Sequence, residues 1–144
     1  KVFKGWSMKI AMVSFFLITI IFLFIDIIWL SQAVRYFYEP NIGELLRDDP
    51  IIPVAALFYL IYPLGVNILV VVPALKERST QTAFFKAFVF GVVAYGTYNL
   101  TNMATLNGWS INVVIVDMMW GGILTGISAI LAIYLTRKVL KFTD

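Results

Sequence analysis

The stretches FIDIIWLSQ (residues 24–32) and VIVDMMWGG (residues 114–122) each set an aspartate three residues ahead of a tryptophan inside an apolar run. A carboxylate in such a run can hold a cation, pass a proton or tie helices together through hydrogen bonds. Its presence is expensive, because a charged aspartate at mid-membrane costs roughly 2.5–3.5 kcal/mol on insertion scales. Trp29 and Trp120, one turn beyond Asp26 and Asp117, can offer a cation–π wall, or serve only as interfacial anchors and packing. Tyr95, Tyr98, Asn99 and Asn102 recur at i, i+3, i+4 and i+7, which is one helix face. Tyr59 and Tyr62 add two hydroxyls three residues apart. These side chains form the candidate ligand-binding set.

Nothing in the sequence points to a catalytic set. The chain has no cysteine and no histidine, which removes disulfides, thiolate chemistry, histidine-ligated haem and most zinc sites. No phosphate loop or nucleophile elbow is present, and no cofactor is expected. An oxygen-only cation site at the two aspartates has no further ligands at recognisable spacing to support it, so no metal is assigned.

Composition identifies the solvent around these acids. Of 144 residues, 61% are hydrophobic and 13% charged, and the mean hydropathy is +0.91, which marks a membrane protein. The net charge of +3 does not imply a nucleic-acid partner, since the basic residues sit at the ends of apolar segments and are not interleaved with stacking aromatics. A bilayer core of about 30 Å needs about 20 apolar residues per helix. Segments near 9–31, 51–75, 83–106 and 111–135 meet that need. The expected fold is all-α: a polytopic, antiparallel four-transmembrane-helix bundle forming one domain over residues 1–144.

The joints refine this. In RYFYEPNIGELLRDDP (35–50), Asn41 and Glu44 have capping-box spacing, which predicts a short helix on the membrane surface. Asp49 before Pro50 reads as the N-cap of the second long helix. Pro63 deprives the carbonyl of Tyr59 of its partner and predicts a kink there. NGWS (107–110) reads as a tight turn. Gly122 and Gly126 on the fourth helix, with Ala87 and Gly91 on the third, predict close packing inside the bundle, with dimerisation as the alternative. Asn99-Leu100-Thr101 matches a glycosylation acceptor but lies within a span and is discarded.

Lys1, Lys4 and Lys9, then Lys76, Arg78 and Lys86, then Arg137, Lys138 and Lys141 flank the ends that share one side. The positive-inside rule puts both termini on the cytoplasmic or matrix side of a bacterial or organellar inner membrane. Asp26, Asp117, the Tyr/Asn face of the third helix and Tyr59/Tyr62 then share the outer leaflet, with Asn67 deeper. The acids are expected to face each other in the bundle interior and to share a proton, with Arg35 the nearest candidate cation. The first helix is too long for a signal-peptide core and has no small-residue cleavage site. The chain opens without methionine, so upstream residues are expected, with Met8 a candidate start.

Together, DIIWL, FYLIYPLGV, VVPALK, GVVAYGTYNLTNMATLNGWS and VDMMWGGILTG resemble a family of small four-helix membrane proteins catalogued as domain of unknown function 2177. The likeness runs from Met8 to about Lys138, and its most specific parts are Tyr-Asn-Leu-Thr-Asn and Asp-x-x-Trp-Gly. KVFKGWS lies outside the pattern. The resemblance implies an inner-membrane protein of bacterial type and carries fold and topology without an activity.

Three functions compete. The first is a binding or transport site, open to the outer face, for a small cation, an amine or a lipid headgroup; transport by so thin a bundle would call for a homodimer. The second is an accessory subunit of a larger membrane complex. An enzyme acting on lipid is the weakest, because no nucleophile or cofactor motif accompanies the acids. The bilayer is a partner under every reading.

Overall fold

The computed structural model describes the backbone of residues 2–141 and the side chains of residues 8–141. Every regular element among the described residues is helical. Helix α1 spans Val2–Ala33 and runs on through a π segment, Val34–Tyr38, into α2 (Glu39–Ile42) and a 3-10 turn, Gly43–Leu45. The second long helix comprises α3 (Ile52–Val66), a π segment Asn67–Val71, and α4 (Val72–Lys76). Two uninterrupted helices follow, α5 (Ala83–Thr105) and α6 (Ile111–Leu140).

Three stretches are long and apolar enough to cross a membrane: Met8–Leu45, Ile52–Lys76 and Ile111–Leu140. Helix α5 falls short in apolarity because Thr97, Tyr98, Asn99, Thr101 and Asn102 crowd its last third. Its 23 residues nonetheless give a length of about 35 Å at 1.5 Å per residue.

Two of the expected helix caps are corrected. Asn41 and Glu44 do not form a capping box: Asn41 lies inside α2, and its Nδ2 donates to the Phe37 carbonyl at 2.8 Å. No breaker stands between Ala33 and Pro40, so the first helix keeps going, widening to a π turn in which the Glu39 N–H reaches Val34 O. Pro40 follows directly on this π turn, at the start of α2. Nor does Asp49 cap the next helix. Helix α3 starts later, after Ile51 in extended geometry, with Pro53 in the first turn. Ser110 does cap α6, its hydroxyl accepting from the Asn112 N–H at 3.2 Å.

Helix α6 is the hub, packing on both α5 and α1. Its contact with α5 is made by small residues. A Cβ on Gly91 would meet the Gly121 carbonyl oxygen at 2.2 Å, and one on Gly122 or Gly126 would run into Phe88 or Phe84 of α5. The small-residue pattern therefore serves packing within the chain. On α1, Ile10, Ser14, Ile18, Phe22 and Asp26 repeat every fourth residue and are all buried. Below the level of the acids, Ile10, Ile18, Val66, Val70, Leu75, Ala129 and Ile133 close an apolar core.

The second long helix does not pack evenly. Helix α3 rests chiefly on α1, while α5 and α6 meet this helix chiefly at Asn67–Val71. Asn67 pins that segment, its Nδ2 donating to the Ala11 carbonyl at 3.0 Å. Toward its N-terminal end, α3 is left standing off from α5. That separation shapes the site.

Candidate functional site

Asp26 and Asp117 are both buried, at 6% and 7% exposure, and each receives a donor at both carboxylate oxygens. Tyr59 donates to Asp26 Oδ2 at 2.5 Å, and Trp120 Nε1 donates to Asp26 Oδ1 at 3.1 Å. Tyr38 donates to Asp117 Oδ1, and Asn99 Nδ2 donates to Asp117 Oδ2 at 3.1 Å. Trp29 Nε1 donates in turn to the Tyr38 hydroxyl at 3.3 Å.

The two Asp-x-x-Trp motifs are thus crossed. The tryptophan of α6 serves the acid of α1 directly. The tryptophan of α1 serves the acid of α6 through Tyr38. Between them the indoles stack, centroids 4.5 Å apart and planes inclined by 17°. The donor types limit what protonation can do. Indole and amide N–H groups can only donate, so the oxygens facing Trp120 and Asn99 must stay bare. A phenol can donate or accept, so a proton taken up by either acid would sit on the oxygen facing Tyr59 or Tyr38.

Among the described residues, no protein cation serves these acids. Arg35 is exposed and stands over the ring of Tyr36, 5.5 Å from its centroid. The donors on the carboxylates are all neutral, and they spread the charge without cancelling it.

Space reaches Asp117 from two directions. A cavity of about 380 Å³ is lined by Phe58, Tyr62, Ala94, Tyr95, Tyr98 and Asp117. A larger groove of about 730 Å³ shares Phe58, Tyr98 and Asp117 and extends past Tyr38 and Tyr59 to Leu45, Arg47 and Trp109 near the ends of the long helices. The cavity lies where α3 stands off from α5, and the groove runs between α3, the extended first helix and the start of α6.

A family model described as "Predicted membrane protein (DUF2177)" matches residues 11–134. The chain belongs to the DUF2177 family. The matched span contains every residue of the crossed network. No curated protein and no solved structure matches the chain.

Of the side chains singled out from the DUF2177 sequence, Asp26, Trp29, Tyr59, Asn99, Asp117 and Trp120 join one network. Tyr62 belongs beside it: its hydroxyl pairs with Thr125 Oγ1 at 2.7 Å and reaches neither acid. Tyr95 packs its ring on Gly121 and lines the smaller cavity. Tyr98 is 54% exposed and stands edge-on to Trp109, centroids 5.5 Å apart. Asn102 makes no hydrogen bond with the network. Tyr38 is the member that sequence patterning missed. It lies beyond the expected end of the first helix, and only the unbroken run VRYFY hinted that the helix would carry it back over the site.

Proposed function

We propose that this DUF2177 protein binds, and in a dimer transports, a cationic group at Asp117 and Asp26, at a site open toward the outer face of the membrane. The carrying observation is that Asp117, a buried carboxylate with no cation beside it among the described residues, lines both a cavity between α3 and α5 and a groove that extends to Leu45, Arg47 and Trp109. A small cation, an amine or a lipid headgroup suits such a site, with Tyr59, Asn99 and the phenol of Tyr38 holding the acids in place. All four long helices cross the bilayer in this reading as one antiparallel bundle, with a bend in the second at Pro63. Both termini face the cytoplasm or matrix, and residues 39–45 lie at the outer interface.

The reading is tested by Asp26→Asn and Asp117→Asn. Either amide can turn its oxygen to the donor-only partner and its NH₂ to the tyrosine, so both variants fold. Asp117→Asn should abolish saturable cation binding to the purified protein in nanodiscs. Full binding in both variants would end the proposal.

A second reading is favoured by one observation: every carboxylate oxygen already has an internal donor, which is what a purely structural clasp requires. The protein would then be an accessory subunit of a larger membrane complex. Copurification of stoichiometric partners from native membranes, with no cation binding, would support it.

A further inference from the structure

The smaller cavity has a chemistry of its own. Four of its linings are aromatic rings: Phe58, Tyr62, Tyr95 and Tyr98, with Asp117 the one acid. The rings are held before any ligand arrives. Phe58 and Tyr62 lie 5.4 Å apart, Tyr62 and Tyr95 meet edge to face at 5.9 Å, and the fully buried Phe22 backs Tyr62 at 5.1 Å.

Aromatic rings lining a cavity beside a carboxylate that is already hydrogen-bonded favour one kind of cation. A primary ammonium carries three N–H donors and needs acceptors for them. Here each Asp117 oxygen already accepts from a neutral donor, the Tyr62 hydroxyl is tied to Thr125, and the surface that the cavity presents is almost wholly apolar, so few acceptors face a ligand's N–H groups. What remains on offer is the carboxylate's charge and aromatic surface, which is what a methylated ammonium binds. The way in is also particular. Helix α3 stands off from α5, the groove continuing from the cavity is walled by Leu30, Val34, Val54 and Val113, and the outer surface of α3 is apolar, with Leu57, Phe58 and Ile61 all exposed. A tail can lie there while the head enters the ring cluster.

We infer that the cavity between α3 and α5 takes a trimethylammonium head carried on an apolar tail, entering sideways from the membrane. This rests on the cation-site reading and adds the class of ligand: an amphiphile whose nitrogen has no N–H.

The test uses the whole protein in phosphatidylglycerol nanodiscs, which contain no trimethylammonium lipid. Site binding is the difference between the protein and its Asp117→Asn variant. Dodecyltrimethylammonium should bind at least tenfold more tightly than either dodecylammonium or tetramethylammonium. Tyr98→Leu removes a ring from the exposed lip of the cavity and should weaken dodecyltrimethylammonium binding roughly tenfold, while Tyr98→Phe, which keeps the ring, restores it. Phe58→Leu, also at a partly exposed position, gives the same loss by an independent route. Dodecylammonium bound as tightly as its trimethyl counterpart, with neither leucine variant affecting it, would overturn the ring-cluster assignment and leave the cation site standing. Equal affinity for tetramethylammonium would overturn the tail. Absence of any Asp117-dependent binding would remove the cation site itself.

Discussion

Trp29 and Trp120 lie face to face, 4.5 Å between centroids, each occupying the same position in its own Asp-x-x-Trp motif. Neither indole bonds the aspartate of its own helix. Trp120 reaches across to Asp26, and Trp29 reaches Tyr38, which holds Asp117. The motif occurs twice because each copy completes the other. Two helices carrying it can clasp only when both acids sit at one level, so the repeat fixes the register of α1 against α6.

Trp120→Phe keeps a ring for Trp29 to stack on and deletes the donor to Asp26 Oδ1. A buried carboxylate oxygen left short of a donor costs about 1–3 kcal/mol. The expected result is a folded protein whose denaturation midpoint in dodecyl sulfate falls accordingly. Trp29→Phe should cost less, because the Tyr38 hydroxyl only loses a donor and still reaches Asp117. Equal losses would contradict the crossed arrangement.

Tyr38→Phe removes one donor from Asp117 and the acceptor for Trp29 together. A loss of about 1–3 kcal/mol is expected, and it should be non-additive with Trp29→Phe, since both substitutions break the same bond. A double-mutant cycle measured by the same denaturation midpoints decides this. Strict additivity would mean that Tyr38 does not mediate between Trp29 and Asp117.

Much of this site was readable from the sequence. Asp26 and Asp117 stand out because a charge in an apolar run is costly, and that cost also predicts that both are buried. The four long helices were readable because a bilayer needs about 20 residues and the breaks KERSTQ and NGWS are strongly polar. The continuation of α1 through Val34–Tyr38 could not be read. A π turn has no composition signature, and Pro40 reads as a stop unless the chain is known to place it directly after such a turn. Asn41 illustrates the same limit. Its spacing to Glu44 fits a cap, but its Oδ1 is instead used across the fold, accepting from Ser110 at 3.2 Å. Tyr98 and Asn102 share a helix face with Asn99 on paper. Only Asn99, fully buried where α5 packs on α6, bonds an acid, while Tyr98 is 54% exposed at the lip of the cavity.

The α5–α6 seam gives a sharp pair of substitutions. Gly91→Ala places a methyl against the backbone of Gly121, which has no side chain to move aside, whereas Gly65→Ala meets only the tip of Phe90 at 3.6 Å, an ordinary contact. Gly91→Ala should destabilise by about 1–3 kcal/mol through overpacking. Gly65→Ala should be neutral or slightly stabilising, as alanine is the better helix former. A neutral Gly91→Ala would mean that the two helices lie farther apart than the contact with Gly121 requires.

Membrane orientation can be measured directly because the chain has no cysteine of its own. Gln81 and Asp48 are both exposed and outside the regular helices, so Gln81→Cys and Asp48→Cys report on opposite joints with little risk to the fold. The joint around Lys76 and Arg78 is basic, and the joint holding Glu39, Glu44, Asp48 and Asp49 is acidic, so the positive-inside rule assigns the first to the cytoplasmic or matrix side and the second to the outer side. A membrane-impermeant maleimide added to intact cells or organelles should label Asp48→Cys at once, and Gln81→Cys only after permeabilisation. The same experiment locates the mouth of the site, because Arg47 lines the groove that leads to Asp117 and neighbours Asp48. Labelling of Gln81→Cys from outside would invert the protein, and the groove would then open toward the inner leaflet.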